Sequence, residues 1–130
     1  MVVDEKLVNQ LEQLKKATAT LSEALALEPI RINIDGTIQR FEYTFELSWK
    51  MMQSAARFKG LFEANSPRDS IRTAAQIGLI DNVEMWFDFL DARNKASHLY
   101  DEPAADLVYE TTKKFLPEIK LLISKLEQFN

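Results

Sequence analysis

The chain contains 130 residues, of which 46% are hydrophobic and 28% charged, and this composition is typical of one globular domain. The sequence has no cysteine and one histidine, which excludes disulfides, thiolate metal sites and a metal site built from several histidines of one chain. The 16 basic and 20 acidic residues leave a net charge of −4, which excludes a generally basic surface that attracts nucleic acid. We therefore expect a single domain spanning residues 1–130 that needs no metal or other cofactor.

The first residues and the lengths of the apolar runs bear on the location of the protein. Residues 1–5 have neither the basic start nor the apolar stretch of a secretory signal peptide. No apolar run approaches the roughly 18 residues that a membrane-spanning helix needs. Together with the lack of cysteine, these features lead us to expect a soluble, cytoplasmic protein.

The first two predicted elements are helices. Leucines spaced alternately four and three residues apart predict a helix from about Asp4 to Ala26, with Thr18 as the polar position in the apolar stripe. Pro29 ends this element, and Asp35 with the glycine after it is expected to open the second helix. The second helix carries apolar residues on more than one side, which predicts a position at the centre of a bundle: Ile38, Phe41, Phe45, Leu47, Trp49, Met51, Met52 and Ala55.

A short third helix is predicted by its capping residues. Ser66 is a good N-cap, Pro67 suits the first helical position, and Asp69 places a negative charge in the first turn. This helix is expected to end near Gly78.

A fourth helix is predicted to start at Asp81, because a glutamate three residues later completes a capping box. Trp86 and Leu90 are expected to face the core. The helix runs towards His98 and must end before Pro103, which places the histidine at or near a helix terminus.

The last segment predicts a long helix with Thr112 as the polar position in its apolar stripe. Pro117 inside it removes one backbone hydrogen bond and predicts either a kink or a division into two helices. No segment alternates with a period of two, so the predicted fold is all-α: an up-and-down four-helix bundle with one additional short helix. The aromatic side chains at helical spacing are expected to pack in its core.

Polar residues gather at the end of the fourth helix. Asn94 and His98 are four residues apart and share a helix face, and the long side chain of Arg93 reaches the same area. An arginine fork, an imidazole and an amide form a combination that can hold a phosphate and move a proton. A purely structural interpretation stays open, in which His98 stabilises a helix terminus, Arg93 pairs with a carboxylate and Tyr100 packs across the turn.

The string RNKASHLY at residues 93–100 resembles the R-x4-H-x-Y motif of the HEPN superfamily, which is a group of helical domains. Three further segments, 41–50, 66–72 and 78–80, resemble one branch of it in order and spacing. That branch is the nucleotidyltransferase substrate-binding proteins, whose toxin members are called HepT.

The resemblance implies a metal-independent ribonuclease in which Arg93 and His98 form the catalytic pair and Asn94 assists them. The family places this site in the cleft of a homodimer. Because the chain has one histidine, a mechanism with two imidazoles needs His98 of a second subunit. The resemblance also implies a partner, a minimal nucleotidyltransferase that acts as antitoxin by transferring AMP to Tyr100.

Local basic residues offer modest support for RNA binding. Arg68 and Arg72 share a face of the third helix, and Lys95 lies inside the motif, so all three are candidate phosphate-binding or RNA-binding residues. Asp101 and Glu102 follow the motif directly and repel RNA.

Two other functions stay open beside the ribonuclease. The first is a non-catalytic subunit that presents a substrate to a separately encoded nucleotidyltransferase and uses the same polar cluster to hold nucleotide phosphate. The second is a helical assembly module in which the motif merely ends a helix.

Overall fold

The computed structural model describes residues 4–98 and 101–130, and within these ranges it contains helices and no strand. The helices are α1 (Glu5–Leu25), α2 (Arg31–Phe58), α3 (Pro67–Gln76), α4 (Val83–Lys95) and α5 (Glu102–Glu127). A 3-10 turn, Ala96–His98, follows α4. The fold is therefore all-α, as the sequence predicts. None of the helices in the described ranges has the length and apolarity needed to cross a membrane.

Four of the helices form an up-and-down bundle, and the short α3 lies in the connection between α2 and α4. At one end of the bundle, Arg31 of α2 pairs with Asp106 of α5 at 3.1 Å. At the other end, the Phe58 ring at the end of α2 lies 5.9 Å from the Phe129 ring just after α5. The helices α2 and α5 therefore run in the same direction, and α1 and α4 run in the opposite one.

Phe115 of α5 lies at the centre of the core. Its ring centroid is 5.1 Å from those of Phe41 and Phe89, 5.7 Å from that of Trp86 and 6.3 Å from that of Phe45. All five side chains are almost fully buried. These rings pack in the core as the sequence predicts, and their contacts fix α4 against α2 and α5.

The two polar positions in the apolar stripes are buried threonines. The Thr18 hydroxyl donates to the Leu14 carbonyl at 2.8 Å, and the Thr112 hydroxyl donates to the Val108 carbonyl at the same distance. Each hydroxyl thus bonds to the preceding turn of its own helix, so the polar group is buried without losing its hydrogen bond.

The start of α2 differs from the sequence prediction. The helix begins at Arg31 rather than at Asp35, because Pro29 leads directly into an extended Ile30 that serves as the N-cap. Arg31 then lies 3.5 Å from Asp35 one turn later, and its second nitrogen bonds to Asp106. An aspartate and glycine that look like a turn in the sequence therefore lie within the helix.

The caps of α3 and α4 use the predicted kinds of residue, but the N-cap of α4 lies one position later than predicted. The Ser66 hydroxyl accepts from the Asp69 amide at 3.1 Å, and Gly78, with a φ of 82°, follows the end of α3. The N-cap of α4 is Asn82 rather than Asp81, since its side-chain oxygen accepts from the backbone amide three residues later.

Pro117 does not divide the last helix. The helix α5 continues from Glu102 to Glu127 with Pro117 inside it and Asp101 as its N-cap. Of the two outcomes that the sequence allows, a division into two helices is excluded. The predicted break before Pro103 is confirmed, because this proline lies in the first turn of α5.

Candidate functional site

An open pocket of about 770 Å³ lies between α2 and the end of α4. The α2 helix provides four of its lining residues, α4 two, and the 3-10 turn one: Gln39, Glu42, Tyr43, Glu46, Arg93, Asn94 and Ser97. Two of the predicted site residues, Arg93 and Asn94, therefore lie together in the wall of this pocket.

Arg93 is held by partners on both sides. One terminal nitrogen of its guanidinium donates to Glu46 Oε1, and the other donates to Asn94 Oδ1 at 3.1 Å. The second oxygen of Glu46 accepts from Trp49 Nε1 at 3.0 Å and lies 3.8 Å from Lys50 Nζ. Arg93 thus pairs with a carboxylate, as the structural interpretation of the sequence proposes, and Glu46 fixes the guanidinium at the pocket.

Glu42 lies in the same wall, one turn before Glu46. Its partial burial raises the pKa of the Glu42 carboxyl, and the positive charge of Arg93 opposes part of this change. The pocket thus holds a carboxyl that takes up a proton more readily than an exposed glutamate does.

Tyr43 joins the pocket to α1. Its hydroxyl lies 2.6 Å from Thr20 Oγ1, and the side chain is 40% exposed. The hydrogen bond holds the phenol at the rim of the pocket.

The α2 wall is the part of the site that motif reasoning misses. Gln39, Glu42, Tyr43 and Glu46 recur at spacings of three and four residues and so form one polar stripe beside the apolar face of the helix. That periodic interruption of the apolar pattern is the sequence feature that identifies them.

The remaining residues of the motif follow Ser97. His98 is the last residue of the 3-10 turn. The α-helix predicted to run towards His98 therefore ends at Lys95, and the more tightly wound 3-10 turn continues it to His98. Tyr100, the predicted modification site, lies outside the described residues.

The three candidate phosphate-binding residues lie apart from this pocket. Arg68 and Arg72 of α3 stack on the Phe87 ring of α4. Lys95 lines a separate groove of about 430 Å³ between α4 and α5, together with Glu84 and Asp88 among others. The structure therefore groups Arg68 with Arg72 and leaves Lys95 on another side of α4.

The arrangement at the pocket can bind and orient an anion. Arg93 offers a planar fork of donors, and Asn94 adds an amide that can bond either to this fork or to a ligand. Among the residues that the structure describes, no group of three or more histidine, cysteine, aspartate or glutamate side chains is arranged to hold a metal ion.

Most of the chain matches one known protein family. Residues 9–128 match the family model described as nucleotidyltransferase substrate binding protein like. The probable ribonuclease HepT of Haemophilus influenzae is 37% identical over 101 residues, which cover 75% of this chain and 69% of that protein.

Two solved structures share the fold. The crystal structure of ttk003001694 from Thermus thermophilus aligns with a TM-score of 0.81 at 33% identity and covers 87% of this chain and 98% of its own. HI0074 from Haemophilus influenzae, described as revealing the fold of a substrate binding domain of a nucleotidyltransferase, aligns with a TM-score of 0.70 at 30% identity, covering 94% and 97%. The chain therefore belongs to the nucleotidyltransferase substrate-binding protein-like family, in the HepT-like branch of the HEPN superfamily.

Proposed function

We propose that this protein is a metal-independent endoribonuclease toxin whose active site forms where two copies meet. The observation that carries the proposal is the position of Arg93, the first residue of the R-x4-H motif, which Glu46 and Asn94 hold at an open pocket. The 37% identity to a probable ribonuclease supports the same activity.

The proposed reaction uses the 2′-hydroxyl of the RNA itself as nucleophile. A base removes the hydroxyl proton while the 2′-oxygen bonds to phosphorus, and the bond from phosphorus to the 5′-oxygen breaks as an acid protonates that oxygen. The products are a 2′,3′-cyclic phosphate and a free 5′-hydroxyl. In this scheme Arg93 stabilises the negative charge that develops on the phosphoryl oxygens, and Asn94 orients Arg93 or the phosphate.

The acid and the base in this scheme are two copies of His98. Imidazole suits both roles near neutral pH, and the chain contains one histidine. A two-fold dimer brings the same residue of each subunit to one seam, so one copy can accept a proton while the other donates one. The ribonuclease is therefore proposed to act as a homodimer.

A minimal nucleotidyltransferase is the proposed partner and antitoxin. In the proposed regulation the Tyr100 phenol oxygen attacks the α-phosphorus of ATP, loses its proton to a base of the partner, and releases pyrophosphate. The product carries a phosphodiester charge two residues after His98. That charge repels RNA phosphate from the cleft.

Cleavage of end-labelled RNA by the purified protein in EDTA tests the activity. Wild type should leave 2′,3′-cyclic phosphate ends, and the variants Arg93→Ala and His98→Ala should both be inactive. Lys16→Ala, which removes an exposed cation from α1, is the matched control and should cleave like wild type. The proposal is contradicted if wild type leaves the RNA intact, or if the two site variants cleave it as fast as wild type does.

A second candidate function is a non-catalytic subunit that presents a substrate to a separately encoded nucleotidyltransferase. The observation that favours it is the likeness to HI0074, which is described as a substrate binding domain and aligns over 94% of this chain. In this case Arg93 and Asn94 hold a nucleotide phosphate. Isothermal titration with nucleoside triphosphates tests it: binding that Arg93→Ala abolishes, together with intact RNA, favours this function over the ribonuclease.

A further inference from the structure

Arg68 and Arg72 of α3 both lie against the Phe87 ring of α4. The guanidinium carbon of Arg68 is 4.5 Å from the ring centroid, and that of Arg72 is 5.4 Å from it. The two arginines are one helical turn apart, so one partly buried ring orients two neighbouring positive charges.

The pair keeps its charge available to a ligand. Arg72 lies 3.4 Å from Asp69, and its side chain is 57% exposed. Within residues 4–98 and 101–130, Arg68 forms no ion pair, and it is exposed as well. Stacking on Phe87 restricts both side chains before any ligand arrives, which lowers the entropy that binding must remove.

The ring that orients the pair shares a face of α4 with Asn94, which lines the candidate pocket. Phe87 and Asn94 are seven residues apart, which is two turns of helix and about 10 Å along its axis. This distance corresponds to about three stacked nucleotides of one strand. Lys50 of α2, one turn after Glu46, adds an exposed cation beside the pocket.

We infer that Arg68 and Arg72, oriented by Phe87, form a subsite that binds the phosphodiester backbone of single-stranded RNA a few nucleotides from the bond cut at Arg93. The inference rests on the proposed function, because the bound strand is the ribonuclease substrate. Arginine forks match phosphate oxygens, and the backbone positions of the two arginines are one turn, about 6 Å, apart along α3. Two adjacent phosphates of a single strand can therefore each meet one arginine.

Binding of a strand that cannot be cleaved tests the subsite separately from catalysis. The probe is a fluorescein-labelled 2′-O-methyl RNA of 12 nucleotides, and its anisotropy gives Kd over a range of salt concentrations. The double variant Arg68→Gln/Arg72→Gln should lower the salt slope by about 1.4 and weaken binding roughly tenfold or more at 0.1 M salt. The control Lys16→Gln/Lys120→Gln has the same net charge and alters exposed cations of α1 and α5, so it should bind like wild type.

Phe87→Leu provides a second variant that keeps both arginine charges. Loss of the ring should weaken binding by a smaller factor than loss of both arginines, because the charges stay but are no longer aligned. Thermal unfolding followed by circular dichroism confirms that each variant is folded. Equal affinity and equal salt slope for wild type and Arg68→Gln/Arg72→Gln would overturn the subsite.

The length of the substrate separates this inference from the ribonuclease activity. A dinucleotide does not reach the subsite, so Arg68→Gln/Arg72→Gln should cut it as fast as wild type does and should cut a 12-nucleotide RNA more slowly. Cleavage that needs His98 but shows no dependence on the arginines at either length overturns the subsite and leaves the ribonuclease intact. Arginine-dependent binding without any cleavage supports the subsite and overturns the ribonuclease. If Arg68→Gln/Arg72→Gln binds RNA like wild type but no longer binds the nucleotidyltransferase, the two arginines form a protein interface, and the subsite is overturned.

Discussion

Arg93 of α4 and Glu46 of α2 form an ion pair in the wall of the candidate pocket, and Trp49 holds the second oxygen of the same carboxylate at 3.0 Å. The pair aligns the arginine, and it also offers the guanidinium an internal anion. A phosphate that enters the pocket therefore competes with Glu46 for Arg93.

Glu46→Gln should tighten RNA binding roughly threefold, because it removes the competing charge and keeps an oxygen that can accept from Arg93. The free energy of unfolding should fall by less than about 1 kcal/mol, since both partners are partly exposed. Anisotropy with the 2′-O-methyl strand measures the affinity. Glu110→Gln, which removes an exposed carboxylate from its ion pair with Lys113, controls for net charge and should leave the affinity unchanged. Weaker binding by Glu46→Gln would mean that alignment of Arg93 needs the full charge.

Glu42 should make stability depend on pH. Burial raises the pKa of the folded-state carboxyl, so the unfolded chain loses this proton first as pH rises. Stability then falls as pH increases from the ordinary glutamate pKa through the raised folded pKa.

Glu42→Gln removes this dependence, so the variant should gain stability relative to wild type between about pH 4 and pH 7. Urea unfolding at both pH values measures the difference. A constant difference between variant and wild type would show that Arg93 offsets the burial of Glu42 completely.

Most of the fold can be predicted from spacing, because burial on one helix face dictates a period of three to four residues. The bounds of α1 and α3 follow from capping residues such as Asp4 and Ser66. The start of α2 does not, since its N-cap, Ile30, is not a usual capping residue and makes no side-chain hydrogen bond. The ion pair between Arg31 and Asp106 joins residues 75 positions apart, so it leaves no local pattern either.

Phe115 should contribute a large share of the stability. Phe115→Ala removes a fully buried ring that contacts four other aromatic rings and should cost about 3–5 kcal/mol. Phe62→Ala, at a ring that is 65% exposed, is the control and should cost less than about 1 kcal/mol. Urea unfolding measures both. A loss below about 2 kcal/mol for Phe115→Ala would contradict the central position of this ring.

Pro117→Ala should stabilise the protein. The proline lies inside a continuous α5 and cannot donate a hydrogen bond to the preceding turn. Alanine restores that bond, so the free energy of unfolding should rise by about 1–2 kcal/mol after allowing for the greater freedom of the unfolded chain. Thermal unfolding with hydrogen exchange across residues 110–124 checks this. A destabilised variant would show that the helix depends on the shape of proline at this position.

The candidate site, like the fold, has one part that the sequence predicts and one part that only the structure reveals. Arg93 and Asn94 could be identified from the motif, and the structure places both in one pocket. The polar spacing on α2 indicates a face that carries Glu42 and Glu46, but the ion pair between Glu46 and an arginine 47 residues away leaves no local signal. The pairing of Arg68 with Arg72 on Phe87 likewise needs the packing of α3 against α4.

The most direct test of the central claim is a mixing experiment with wild type and His98→Ala at constant total protein. Subunits are randomised by joint unfolding and refolding, and the rate of RNA cleavage is measured against the fraction of wild-type chains. If two copies of His98 act at one seam, activity follows the square of that fraction and an equal mixture has about one quarter of the wild-type rate. A linear dependence, with about half the rate at equal mixture, would show that each subunit cleaves RNA with its own histidine and would contradict the shared site.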